Sequence, residues 1–114
     1  MEIHASELAG PITCVRLDGR LDSQGADAIA LRFTAAVASQ SHPAVVDLSQ
    51  VSFVASMGIR LLISTARSLG MTGGKMVLFG APPLAQEVFV DAALDQIILI
   101  ANTEADALDA LAGG

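Results

Sequence analysis

Hydrophobic positions along this chain recur with a period of two in some stretches and close to 3.6 in others, and the changeovers divide it into elements. Glu2 to Ser6 has Ile3 as its one strong β-former and predicts a weak strand. Leu8-Ala9-Gly10-Pro11 reads as a turn and Ile12 to Leu17 as a second strand, so the pair predicts an opening hairpin. Gly19 then breaks the chain. Asp22 or Ser23 can cap a helix whose apolar positions Ala26, Ile29, Ala30, Phe33 and Val37 fall at helical spacing. Its other side carries Gln24, Asp27, Ala28, Arg32 and Ala35, a solvated face. The segment Ser39 to Pro43 ends it, because the residue before a proline avoids the helical region.

The run from Ala44 to Ile63 dominates the remainder. It opens on Ala44-Val45-Val46-Asp47-Leu48, short, apolar and β-branched, as in a strand buried on both faces. It closes on Ile59, Leu62, Ile63, Ala66 and Leu69, spaced three and four apart as in an amphipathic helix. Between them, Phe53-Val54-Ala55-Ser56-Met57-Gly58 predicts a strand-to-helix turn with Ser56 at the N-cap and Gly58 admitting a close backbone. A hydroxyl there faces unpaired N–H groups and the positive end of the helix dipole, so a phosphate added to it is stabilised where it stands. Ser56 is therefore either a helix cap or a phosphate acceptor.

Thr72-Gly73-Gly74 ends this helix, and Lys75 to Phe79 predicts another buried strand. Gly80 to Pro83 is a turn with prolines placed to start a third helix, which holds Leu84, Val88, Phe89 and Ala92. Ile97 to Ile100 is a further strand. Thr103-Glu104-Ala105-Asp106 forms a capping box ahead of Leu108 and Leu111, and Gly113-Gly114 reads as a frayed end. Strands alternating with helices after an opening hairpin predict one α/β domain over residues 1–114. Its sheet is mixed and largely parallel, of about five strands, with about four helices packed on it.

Composition narrows what such a domain can do. With 53% hydrophobic residues among 114, the chain can build a core. No run reaches the ~18 consecutive apolar residues of a spanning helix. Met1-Glu2-Ile3-His4 lacks a basic, then apolar, secretory pattern, so a cytoplasmic location without membrane insertion is expected. The single Cys14 fits a reducing compartment. A net charge of −6, with no run of basic residues and no Trp or Tyr, disfavours nucleic acid as a direct partner. Any effect on transcription must pass through another protein.

Other chemistry finds little footing. His4, His42 and Cys14 have no metal-ligand spacing, so no metal is expected. Val54 stands where a Gly-x-Ser-x-Gly elbow needs its first glycine, and no histidine base is near Ser56 in sequence. Thr72-Gly73-Gly74-Lys75 lacks the full P-loop spacing. An enzyme is not expected, and no cofactor is called for.

Asp47-Leu48-Ser49, Val51, Phe53 and Ser56-Met57-Gly58, with Gly19-Arg20-Leu21-Asp22 upstream, resemble the signature of the STAS family, the bacterial anti-sigma factor antagonists. In that family an Asp-Leu-Ser strand leads to an Asp-Ser-Ser/Thr-Gly turn whose first Ser is phosphorylated by a partner kinase. The resemblance covers nearly the whole chain and implies the STAS-like form of the fold predicted above. It implies phosphorylation at Ser56 and a partner surface of Asp22, Ser23, Ala55, Ser56, Met57, Gly58 and Arg60. The implied partners are an anti-sigma factor with serine-kinase activity, whose capture frees a sigma factor, and a resetting serine phosphatase. Ala55 replaces the family's Asp, and Met57 its second hydroxyl residue, leaving Ser56 the one acceptor in the turn. Those two departures keep a rival open: a constitutive STAS subunit of a lipid-transport complex or stress-sensing assembly, with Ser56 only a cap.

Overall fold

The computed structural model describes residues 1–8, 10–39 and 41–113. Ala9 in the predicted hairpin turn, Gln40 in the predicted helix stop and Gly114 at the predicted frayed end lie outside the described residues. The strands are β1 (Glu2–Leu8), β2 (Ile12–Leu21), β3 (Ala44–Val54), β4 (Met76–Phe79) and β5 (Leu99–Ala101). The helices are α1 (Ser23–Ala38), α2 (Ser56–Met71), α3 (Pro83–Asp91) and α4 (Glu104–Gly113), with a 3-10 turn at Leu94–Gln96. The five strands form one sheet in chain order, β1-β2-β3-β4-β5. β1 and β2 pair antiparallel, and every later pairing is parallel. This is the mixed α/β sheet that the alternation of periods predicts.

Alternation along the strands sorts side chains between two apolar clusters. Val15, Leu17, Val46, Leu48, Met76 and Leu78 face the larger one, together with Ile29 and Phe33 of α1, Leu62 and Leu69 of α2 and Phe89 of α3. Val45, Val77 and Phe79 face the smaller one beneath Ala107 of α4. β4 is buried at all four positions because helices cover both of its faces, which is why its sequence is apolar throughout. Phe33 is wholly buried, and truncation of such a side chain to alanine costs about 3–5 kcal/mol. Thr65 is the buried polar side chain of this core, and its hydroxyl lies 3.4 Å from that of Thr34, across the packing of α1 on α2. Among the described residues no helix is long and apolar enough to cross a membrane.

Several boundaries differ from those read off the sequence. β1 runs on to Leu8, and β2 passes Leu17 and Gly19 to reach Leu21. Gly19 takes φ +115°, and the β2–β3 register shifts on either side of it. The break is thus a bulge that re-aims the strand without ending it. β3 likewise extends to Val54, so the turn into α2 shrinks to Ala55. In α3, Leu84 is 72% exposed, and Ala85 and Phe89 form the buried stripe. Pro82 at the N-cap and Pro83 in the first turn set the helix start, and with it the rotation that turns Leu84 outward. Ala92, the C-cap residue of α3, is exposed. β5 is shorter and later than Ile97 to Ile100, because the chain first spends residues on the 3-10 turn that buries Leu94.

Caps fix where the helices begin. Of the two candidates for α1, Asp22 is the cap: its Oδ1 accepts the Gly25 N–H at 2.8 Å. Thr103 caps α4 by accepting the Asp106 N–H at 3.1 Å. The Gly25 N–H, seconded by the Arg20 guanidinium 3.3 Å away, holds the Asp22 carboxyl below the ordinary aspartate range. Stability from this carboxylate is full above about pH 4 and is lost as pH falls through its lower folded value. Asp22→Asn keeps a capping oxygen, so it is expected to flatten this part of the acid limb in urea midpoints measured from neutral pH to about pH 3.

A second outcome concerns Gly58, where an added Cβ would stand 2.6 Å from Leu21 Cγ and 2.6 Å from the Leu21 carbonyl oxygen. Gly58→Ala is therefore expected to lower stability by about 1–3 kcal/mol in denaturant titration.

Candidate functional site at the β3–α2 junction

The site forms where β2 and β3 end side by side. The Ala55 N–H donates to the Leu21 carbonyl at 3.0 Å, tying the exit of β3 to the exit of β2. Ala55 stays extended (φ −122°, ψ 175°), and its carbonyl accepts the Ile59 N–H at 3.1 Å to begin α2. The N-cap is therefore Ala55, and Ser56 is the first helical residue. This corrects the placement of the cap at Ser56. The cause is the length of β3, which leaves Ala55 alone to make the turn. Alanine has no oxygen to offer, so α2 starts with no side-chain capping bond and no acidic residue in its first turn. Its positive end opens uncompensated beside the exposed Ser56 hydroxyl.

The surroundings of Ser56 are apolar and cationic. Phe53 and Met57 are 43% and 40% exposed, large apolar side chains close to Ser56 in the chain. The Arg20 guanidinium lies 4.4 Å from the centre of the Phe53 ring, a cation–π contact. Arg60 is exposed one turn along α2 from Ser56. Both line a shallow groove of about 390 Å³ whose other walls are Ile59, Val88, Asp91 and Ala92. The charges here are mixed: Arg20 pairs with Asp22, and Arg60 shares the groove with Asp91.

The predicted surface residues divide accordingly. Ser23, Ser56, Met57 and Arg60 are exposed. Asp22 and Ala55 are half-buried, and the Asp22 carboxylate is already engaged by Gly25 and Arg20. Gly58 is buried against Leu21, so it shapes the surface from beneath without presenting an atom to a partner. Sequence reasoning missed Phe53 and Arg20 as surface elements. Ser52 and Phe53 are both exposed between the buried Val51 and Val54, so the end of β3 departs from strict alternation and a period-two reading from Val51 would place Phe53 inside.

No histidine lines the groove, and His42 lies before β3 while Ser56 follows it, at opposite ends of the strand. Burial, and then Glu104, push the Cys14 thiol upward, away from reactive thiolate character. One trio with ligating atoms close together occurs among the described residues, Glu2, His4 and Asp18 on the hairpin. His4 Nε2 is 3.1 Å from Asp18 Oδ2, and Arg16 Nε is 3.3 Å from Asp18 Oδ1, so the Asp18 carboxylate already has cationic company.

Comparison with known proteins follows the same lines. A Bordetella bronchiseptica protein, BtrV, named as an anti-sigma factor antagonist, is 28% identical over 87 residues, 76% of this chain and 75% of its own. The crystal structure of an anti-sigma factor antagonist from Mycobacterium paratuberculosis superposes with a TM-score of 0.82 at 29% identity, covering 97% of this chain and 93% of that one. The antagonist SpoIIAA in its unphosphorylated form matches with a TM-score of 0.78 at 22% identity, over 99% of this chain and 98% of its own, and so shares the fold. The STAS domain family model matches residues 5–107. The chain belongs to the STAS domain family.

Proposed function

We propose that this chain is an anti-sigma factor antagonist that docks its partner on the β3–α2 junction and is switched by phosphorylation of Ser56. The observation that carries the reading is the state of the Ser56 hydroxyl. It is exposed, it is not the cap of α2, and it stands among Met57, Arg60 and the uncompensated helix start. A serine retained as a cap would have its oxygen turned back onto the backbone; this one is free for a kinase.

In this reading the partner is an anti-sigma factor with serine-kinase activity, which transfers the γ-phosphoryl group of ATP to Ser56. A serine phosphatase restores the hydroxyl. The chain is a ligand and a substrate and performs no catalysis itself, and it works in the cytoplasm. The exposed apolar pair Phe53 and Met57 supplies close-packed contact area, and Arg20 and Arg60 supply charge at its rim. Phosphorylation places about −1.5 to −2 charges in the middle of that surface, and desolvating them on docking expels the partner. The names of the relatives support the same role.

The rival is a constitutive STAS subunit, and it is favoured by Ala55, which removes the family's acidic residue just before Ser56. The two separate in a pull-down from native lysate with tagged wild type, Ser56→Ala and Ser56→Asp, with bound proteins identified by mass spectrometry. The switch predicts that an ATPase-type kinase is recovered with wild type and Ser56→Ala. Ser56→Asp is expected to weaken that binding about tenfold or more, equivalent to at least about 1.4 kcal/mol. Equal recovery of transporter or scaffold subunits by all three would instead make the chain a structural part.

A further inference from the structure

We infer that Arg60 is an internal clamp for the phosphate on Ser56, so that phosphorylation adds an anion to the docking surface and withdraws a cation from it. This rests on the Ser56 reading above. Ser56 and Arg60 are four residues apart on α2 and line the same groove. An anion four residues N-terminal to a cation is the favourable orientation of a helical pair. The arginine fork matches the oxygens of a phosphate monoester and binds it through two N–H donors. Among the described residues Arg60 has no ion-pair partner, whereas Arg16 and Arg20 are each held by an aspartate.

Two further features select the clamp. The first turn of α2 has neither an acidic residue nor a capping oxygen, so nothing at the helix start competes for Arg60 or repels the phosphate. Across the groove stands Asp91, the one acidic residue in its lining. A phosphate dianion at Ser56 faces that carboxylate, and Arg60 is the groove's cation able to come between them. Buried Gly58 and Ile59 hold the start of α2 against the core, so the clamp closes by side-chain rotation alone. With Ser56 unmodified, Arg60 is free to face an acidic group of the partner. With the phosphate present it is turned along its own helix.

The test installs phosphoserine at position 56 during synthesis of the full chain, so no kinase is needed, and follows its second ionisation by phosphorus NMR. Wild type is expected to show that ionisation about half a pKa unit or more below its value in the urea-unfolded chain. Arg60→Gln should return most of that displacement, Arg60→Lys only part of it, and Asp91→Asn should deepen it. Arg60 and Asp91 are exposed, so these variants are expected to fold. The same ionisation in wild type and Arg60→Gln would overturn the clamp and leave any displacement to the helix start alone. Because the phosphate is installed chemically, that outcome is distinct from failure of the switch, which is a failure of cellular kinase to modify Ser56.

Discussion

The contact between Leu21 and the Ala55–Gly58 turn is the constraint on which the functional end of this protein depends. The Leu21 carbonyl receives the Ala55 N–H at 3.0 Å, and its side chain occupies the space that a Cβ on Gly58 would need. One residue at the end of β2 thus fixes where β3 stops and where α2 starts. It also fixes the start of α1, since Asp22 follows directly and caps that helix. The surface carrying Ser56, Met57 and Phe53 is founded on a backbone hydrogen bond and a packed leucine.

Electrostatics gives the site its direction. The chain is acidic overall, yet Arg60 lines the groove beside the exposed serine, and the start of α2 carries no negative side chain. Arg20 stacks on Phe53 and is already paired with Asp22, which leaves Arg60 as the unpaired cation of the two among the described residues. In the proposed switch, a phosphate on Ser56 would be favourable to the folded chain and unfavourable to a docked partner.

Much of the architecture was readable before any coordinates. The stripes Ala26, Ile29, Phe33 and Val37 and Ile59, Leu62 and Leu69 are buried as their spacing requires, and Thr103 caps the last helix. What escaped was set by tertiary contact. Gly19 reads as a break, yet the pairing with β3 continues past it to Leu21 and holds it in a bulge. Leu84 belongs to an apolar stripe on paper and is turned to solvent by two prolines that fix the helix start. Ser56 is the better capping residue by preference, but β3 extends far enough that Ala55 occupies the capping position. The preference for a hydroxyl cap thus put the helix start one residue too late.

The measurement that bears most directly on this account is the phosphorylation state of the chain recovered from its native cells, read by intact mass and then by peptide mapping, with and without phosphatase treatment. The account predicts a fraction heavier by one phosphoryl group, lost on phosphatase treatment and located on Ser56. A phosphoryl group located on another serine or threonine, or a chain that remains unmodified while its partner kinase is bound and supplied with ATP, would contradict it.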